Sequence, residues 1–165
     1  MSVADDDFIA FAQARAERLR HRAFLLCQDW HLAQDLTQIT LAKLYASWRK
    51  AAAADNLEAY AAKVMLRAFL DHRRRRSASE LPSDTLPEHS TSGPEPELRL
   101  TLIDALGRLP PRDRAIVVLR YWEDHSVETV ADILGVRPGV VKTQAMRSLA
   151  RLRSLLGSDV DLLRD

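Results

Sequence analysis

The stretch that most limits how this chain can fold is SVETVADILGVRPGVVKTQAMRSLARLR, residues 126–153. It predicts two helices joined by a tight turn, because Ser126 can cap a first helix and Gly135 supplies the left-handed conformation that ends one. Pro138 suits the first turn of a second helix, where its missing N–H needs no partner. The pattern is typical of a helix-turn-helix, with two amphipathic helices of an ordinary bundle as the alternative interpretation.

The second helix of this pattern divides into an apolar face and a polar face. Val141, Ala145, Leu149 and Leu152 recur at helical spacing and are expected to pack. The remaining residues near the helix start include basic and hydroxylated side chains, which can reach phosphates and base edges in a DNA major groove. The candidate DNA-binding residues are therefore Arg137, Pro138, Gly139, Lys142, Thr143, Met146 and Arg147.

Charge and proline are unevenly distributed along the chain, and this predicts two modules. Residues 77–97 contain five acids, four prolines and no Lys or Arg. Because such a segment cannot bury a core, we expect a flexible acidic linker between modules at 1–76 and 98–157, with a tail at 158–165. Abundant Ala, Leu and Arg favour helices. The predicted fold is all-α, with two small helical domains, the second containing the helix-turn-helix.

Three or four helices are predicted in the first module, and three of them are placed over residues 6–27 and 31–48 and from a cap at Asp55 or Asn56 onward. The last one ends in four consecutive arginines, Arg73, Arg74, Arg75 and Arg76. Clustered cations bind phosphates, and aromatic rings can stack on unpaired bases. The same run is also typical of a solvated helix end, and Tyr60 and Phe69 taken alone favour a core role.

Several functional classes are disfavoured by the residues that are present. The five histidines are scattered, Cys27 has no evident base partner, and no Gly-rich phosphate loop occurs, so we expect neither an enzyme nor a metal or cofactor site. No apolar run approaches the roughly 20 residues of a membrane span. The acidic start MSVADDDF lacks the layout of a signal peptide, and the expected location is the cytoplasm.

Three segments in order resemble the motifs of extracytoplasmic-function sigma factors, a group of the bacterial sigma-70 family, and most resemble an actinobacterial SigE-family branch. They are HLAQDLTQITLAKLYASW, EAYAAKVMLRAFLDHRRRR and LIDALGRLPPRDRAIVVLRYWEDHSVETVADILGV. The resemblance implies a promoter-specificity subunit that binds core RNA polymerase, through the β′ clamp helices and the β flap, and promoter DNA. An anti-sigma factor is a further candidate partner, and the acidic linker would thread towards the active-site cleft or simply stay solvated.

The resemblance also assigns residues to these partners. It implies polymerase docking by Asp35, Leu36 and Gln38, and places −35 recognition on the helix-turn-helix residues named above. For the −10 element it implies Asn56, Tyr60, Lys63, Arg67, Arg73, Arg74, Arg75 and Arg76. Three positions depart from the family pattern, and one of them is Ile39, which stands where polar residues are frequent on the polymerase-facing surface. Arg67 replaces a common Asn, and Arg137 replaces the Ser or Thr that often caps the recognition helix.

A one-component regulator that binds DNA through its helix-turn-helix without polymerase is the alternative function. Such a protein needs an apolar ligand pocket and a dimer interface that matches paired half-sites. The sequence shows neither feature clearly.

Overall fold

The structure is a computed structural model that describes residues 2–78 and 96–157, with side chains left aside at 96–101. All regular elements in these two ranges are helical, which confirms the predicted all-α class. The chain divides into two compact units, residues 1–87 and 88–165. Most of the predicted linker, residues 79–95, and the predicted tail at 158–165 lie outside the described residues.

Four helices build the first unit: α1 (Val3–Cys27), α2 (Trp30–Ala46), α3 (Trp48–Ala52) and α4 (Leu57–Ala78). The longer helices α1, α2 and α4 pack against one another because each has a stripe of apolar residues on one side. Their shared core consists mainly of Leu19, Ala23, Leu36, Leu44, Met65 and Phe69.

Helix α1 begins three residues before the predicted start, since Ser2 and Asp5 form a capping box. Ser2 Oγ accepts a hydrogen bond from the Asp5 N–H at 3.2 Å, and the Ser2 N–H donates to Asp5 Oδ2 at 3.0 Å. The Tyr45 hydroxyl donates to Asp5 Oδ1 at 2.9 Å, which ties α1 to α2. These bonds, that from the Ser2 N–H above all, hold the pKa of Asp5 below its ordinary value.

The predicted single helix over 31–48 is interrupted at Ser47, so the prediction was wrong at this end. Ser47 leaves helical geometry, and both its N–H and its hydroxyl donate to the Lys43 carbonyl, at 3.2 and 3.0 Å. A serine side chain that bonds its own backbone in this way competes with the helical pattern. Trp48 can then start α3 and pack its ring against Phe8 and Phe11, each at 5.3 Å between centroids.

One cation is buried in the first unit, at Arg22 of α1. Its Nη2 lies 3.7 Å from Glu58 Oε2 of α4, and Arg15 Nε lies 3.1 Å from the other oxygen of the same carboxylate. Glu58 therefore links two arginines of α1. Asn56 caps α4, because its Oδ1 accepts from the Ala59 N–H at 3.0 Å.

The second unit contains α5 (Pro96–Gly107), α6 (Pro111–Val117), a π-helical turn (Val118–Trp122), α7 (Val127–Leu134) and α8 (Pro138–Leu156). Helix α8 packs against α5, α6 and α7. The core of this unit is formed by apolar side chains from every element, including Leu106, Leu109, Ile116, Val118, Val130, Val141, Ala145 and Leu152.

A buried arginine, Arg114 of α6, closes the end of α5. Its Nε donates to the Leu106 carbonyl at 2.9 Å, and its Nη2 donates to the carbonyls of Gly107 and Leu109, each at 3.0 Å. The last carbonyls of a helix have no partner within that helix. Because one planar guanidinium satisfies several of them at once, it fixes the corner between α5 and α6.

The π-helical turn sets the direction in which the chain enters the helix-turn-helix. The Glu123 N–H bonds to the Val118 carbonyl at 2.9 Å, which is the wide ring that defines this turn. Arg120 Nη1 donates to the carbonyl of buried His125 at 2.8 Å, and the His125 N–H bonds to the Leu119 carbonyl at 2.9 Å. These bonds connect the turn to the residue just before the Ser126 cap.

We predict that Arg114→Met destabilises the second unit by about 2–4 kcal/mol, since methionine fills space but leaves buried carbonyls without a charged donor. Urea unfolding of the full chain, followed by NMR signals from each unit, would measure the change. Arg112→Met is the matched control, because Arg112 is exposed on the same helix. Equal stability of the two variants would contradict this role for Arg114.

Candidate nucleic-acid and protein interfaces

The helix-turn-helix forms as the local residues predict. Ser126 Oγ caps α7 by accepting from the Thr129 N–H at 3.1 Å. Gly135 ends that helix with φ +67°, a left-handed conformation that favours glycine. Pro138 occupies the first turn of α8, and Arg137 before it makes no side-chain cap, as its chemistry predicts.

Helix α8 buries one face and exposes the other. The buried residues include Val141, Ala145 and Leu152, as predicted, while Leu149 is half-buried. All seven predicted DNA-binding residues are exposed, and none contributes to the core: Arg137, Pro138, Gly139, Lys142, Thr143, Met146 and Arg147. The structure therefore brings the predicted −35 residues together on one accessible end of one helix.

The exposed face of α8 is basic throughout. Its sequence PGVVKTQAMRSLARLRSLL contains four cations and no acid. No contact within the chain requires glycine at position 139, because a Cβ there would meet nothing within 4 Å. A helix that is cationic, and that lacks a side chain near its start, can bring its backbone close to a polyanion.

The opposite charge collects around α7 and the turn before it. Asp124, Glu128 and Asp132 are exposed, and the last two lie one turn apart on the same face of α7. Beside them the π-helical turn exposes two aromatic side chains, Tyr121 at 49% and Trp122 at 55%. We call these five residues the α7 surface. Its acids repel phosphate, while its aromatic rings are of the type enriched in protein interfaces.

Helix α4 presents a cationic stripe that runs along its outer side. Residues three and four apart lie on one face of a helix, which aligns Tyr60, Lys63, Arg67, Leu70 and Arg74. Arg67 and Arg74 are exposed, Lys63 and Tyr60 are half-buried, and Leu70 is 40% exposed. We call this set the α4 stripe. The sequence prediction included all of its members except Leu70. The spacing of Leu70, three residues after Arg67 and four before Arg74, could have placed it on the same face.

The four consecutive arginines do not act as one cluster. Successive helical residues are about 100° apart around the axis, so Arg73 to Arg76 radiate in different directions. Arg74 lies on the α4 stripe and pairs with Asp71, whereas the Arg73 guanidinium lies over the Phe69 ring at 6.0 Å. Of the four arginines, only Arg74 continues the α4 stripe, and DNA binding by the other three stays a prediction.

Two further predicted −10 residues have structural partners in the chain itself. The Asn56 side chain caps α4, and the Tyr60 hydroxyl lies 3.4 Å from Ser47 Oγ, to which it donates. Asn56 remains exposed, so its cap does not remove it from the surface.

The predicted polymerase-binding residues divide between the surface and the core of the first unit. Asp35 and Gln38 are exposed on α2, but Leu36 is 0% exposed. Leu36 therefore cannot touch a partner directly, and its prediction as a contact residue is wrong. The apolar side chain on the exposed face is Ile39, which is 43% exposed and lies four residues from Asp35.

Two polar residues of α2, Thr37 and Thr40, lie in the core rather than on the exposed face of this helix. Both threonines are buried, which is possible because each hydroxyl donates to a carbonyl one turn earlier, that of Ala33 or Leu36, at 2.7 Å. The sequence signal for the burial of these threonines was weak, because threonine counts as polar in a hydrophobic pattern.

The described residues contain no cluster of His, Cys, Asp or Glu that could hold a metal ion. Within the same ranges, no helix is both long and apolar enough to cross a membrane.

Comparisons with known proteins identify the family of the chain. The sequence pattern of Sigma-70 region 2 matches residues 11–79, and that of Sigma-70, region 4 matches residues 99–152. The chain is similar to the RNA polymerase sigma-E factor of Streptomyces coelicolor, with 35% identity over 94% of this chain and 89% of the relative. It is also similar to the ECF RNA polymerase sigma factor ShbA of Streptomyces griseus, with 31% identity over 76% of this chain and 72% of the relative.

Among solved structures, the fold is similar to the sigma factor RpoE crystallised with the anti-sigma factor NepR from Bartonella quintana. The TM-score is 0.81 at 26% identity, over 93% of this chain and 98% of that one. The α4 stripe and the exposed face of α2 fall within the range matched by region 2, and the helix-turn-helix falls within the range matched by region 4.

Proposed function

The chain belongs to the sigma-70 family of RNA polymerase sigma factors, in its extracytoplasmic-function group, and we propose a separate binding role for each of its two units. As a sigma factor it is a promoter-specificity subunit that directs bacterial RNA polymerase to −10 and −35 promoter elements. In our proposal the first unit docks on the β′ clamp helices and holds the −10 element. The second unit reads the −35 element and contacts the β flap.

The observation that carries this proposal is the exposed face of α8. Its cations can neutralise phosphates on both sides of a major groove, and its side chains near the start lie where a recognition helix meets base edges. The α7 surface supports a second contact. Since phosphate is repelled there, we assign it to the β flap, with Tyr121 and Trp122 as the apolar part of that contact.

For the first unit, the α4 stripe offers phosphate contacts through Lys63, Arg67 and Arg74, with Tyr60 beside them for an unpaired base. The exposed face of α2 offers Asp35 and Gln38 around the apolar side chain of Ile39. An apolar residue with a polar rim is the usual composition of a protein contact. This face is therefore assigned to the β′ clamp helices.

Two features of the cellular setting complete the proposal. The protein acts in the cytoplasm, where polymerase and promoter DNA are found. An anti-sigma factor is a candidate regulator, and the RpoE structure that this fold resembles is itself bound to one.

A gel-shift experiment distinguishes the proposed sigma-factor function from the alternative, a one-component regulator. A regulator binds its duplex unaided, whereas a sigma factor is expected to need core polymerase. Tight, sequence-specific binding by the isolated chain would favour the regulator.

Docking on core polymerase should depend on Asp35. We expect Asp35→Arg to lower the affinity for core at least about tenfold, because a contact charge is reversed, while the fold stays intact. Co-purification with core polymerase and fluorescence titration would measure this. Glu17→Arg, an equal charge reversal at an exposed position of α1, is the control. Wild-type affinity of the Asp35 variant would contradict the assignment of α2.

The α4 stripe should contribute affinity without sequence preference. Replacing Arg67 and Arg74 together by Gln should lower the salt slope of holoenzyme–promoter binding by about 1.5, since each lost phosphate contact removes roughly 0.7–0.9. The control replaces Arg73 and Arg76, which lie on other sides of α4. If both pairs of substitutions lower the salt slope equally, phosphate binding is not specific to the α4 stripe. If neither pair lowers it, the arginines form a solvated helix end that does not contact DNA.

The start of α8 should contain both a base contact and a phosphate contact. We predict that Arg147→Ala costs about 1–3 kcal/mol of promoter discrimination through loss of a bidentate base contact. Lys142→Ala should weaken all promoters alike through loss of a phosphate contact. Transcription from promoters randomised in the −35 element would distinguish the two.

Arg151→Ala serves as the control for these two variants, because Arg151 is an exposed cation one turn beyond Arg147, further from the start of α8. If neither Lys142→Ala nor Arg147→Ala alters rate or preference, α8 packs the bundle without reading DNA.

A further inference from the structure

The most exposed apolar side chain of α8 is Met146, at 74%. Single exposed apolar residues are common on protein surfaces and need no explanation alone. The position of this one is informative, because it lies in the middle of the helix face that the proposed function places against DNA.

Helical spacing divides that face into a centre and two edges. Met146 lies close in direction to Gly139, two turns before it, and to Ala150, one turn after it. Lys142 lies towards one edge of this line, and Thr143 and Arg147 lie towards the other. All of these residues are exposed. Cations at both edges suit the two phosphate backbones that border a groove, which leaves the central line facing the groove floor.

Between Gly139 and Ala150 the central line has no side-chain group that forms a hydrogen bond of ordinary strength, and the next residue in this direction, Arg153, lies two turns beyond Met146 towards the end of the helix. Glycine has no side chain, alanine has a methyl group, and the methionine thioether is only a weak acceptor. Base edges in the major groove present donors, acceptors and a single apolar group, the C5-methyl group of thymine. An apolar side chain at the centre of the face therefore matches thymine and leaves the polar edges of other bases without partners.

We propose that Met146 selects thymine in the −35 element by packing against its C5-methyl group. This inference rests on the proposed function, in which α8 enters the major groove. The long, flexible and polarisable methionine side chain can follow a methyl group whose position varies with local DNA geometry. Arg147 and Lys142 then supply hydrogen bonds and charge, while Met146 supplies the apolar contact that selects thymine.

A protein partner is a weaker explanation for this exposed methionine. The other exposed large apolar residue of α8, Val140, lies about 120° away around the helix, so the two form no common patch. The side chains around Met146 are mainly cationic or hydroxylated, and they include no acid. A single methyl group is a better fit for such a site than an apolar protein surface.

The test removes the methyl group from the DNA rather than from the protein. Holoenzyme with the full-length chain is first used to select promoters from a pool randomised in the −35 element. Each thymine of the selected element is then replaced by deoxyuridine, which keeps every hydrogen-bonding group and lacks only the C5-methyl group. Holoenzyme affinity is measured for wild type, Met146→Ala, Met146→Leu and Lys142→Ala.

At one thymine, we expect deoxyuridine to lower wild-type affinity about fourfold, the factor for one buried methyl group. Met146→Ala should lose this difference, Met146→Leu should largely keep it, and Lys142→Ala should keep it at a lower overall affinity. Two results would overturn the inference. One is a selected element whose affinity is insensitive to deoxyuridine, and the other is an equal effect in wild type and Met146→Ala.

The proposed function fails in a different way. If holoenzyme shows no −35 dependence at all, or if Lys142→Ala and Arg147→Ala leave binding unchanged, then α8 does not read DNA. If those variants behave as predicted and only the deoxyuridine effect is missing, the proposed function stands and the role of Met146 is wrong.

Discussion

A buried guanidinium joins two helices in each of the two units, and it restricts how those helices are oriented. Arg22 reaches from α1 to Glu58 of α4, and Arg114 reaches from α6 to the last carbonyls of α5. A buried charge is tolerated only where partners surround it, so each arginine restricts its neighbours to one arrangement. Small helical units have few buried side chains, and such restrictions matter more in them than in a large core.

Once the helices are fixed, each has one face in the core and one face in solvent, and function is confined to the second. Helix α8 exposes a cationic face, whereas α7 exposes Glu128 and Asp132. A unit with opposite charges on different helices can bind DNA and a protein at the same time, because each charge excludes the wrong partner. This matches the work of a sigma factor, which must contact promoter and polymerase together.

The extent to which the sites were predictable differs between the two units. In the helix-turn-helix, the seven candidate residues are all exposed as predicted, because Gly135 and Pro138 fix where α8 begins and the apolar spacing of Val141, Ala145 and Leu152 fixes its buried face. In α2, the pattern placed Leu36 among the contacts, although it is buried. The pattern also could not show that Thr37 and Thr40 would be buried, because their hydroxyls satisfy their hydrogen bonds within the helix.

The sequence by itself determined the helical class, the cap at Ser126 and the turn at Gly135. Each depends on conformational preferences and hydrogen bonds that reach only three or four residues along the chain. Only the tertiary structure decided which α2 side chains face outward and that Arg114 closes α5. Burial and long-range hydrogen bonds depend on what the rest of the unit places nearby, and no short stretch of sequence contains that information.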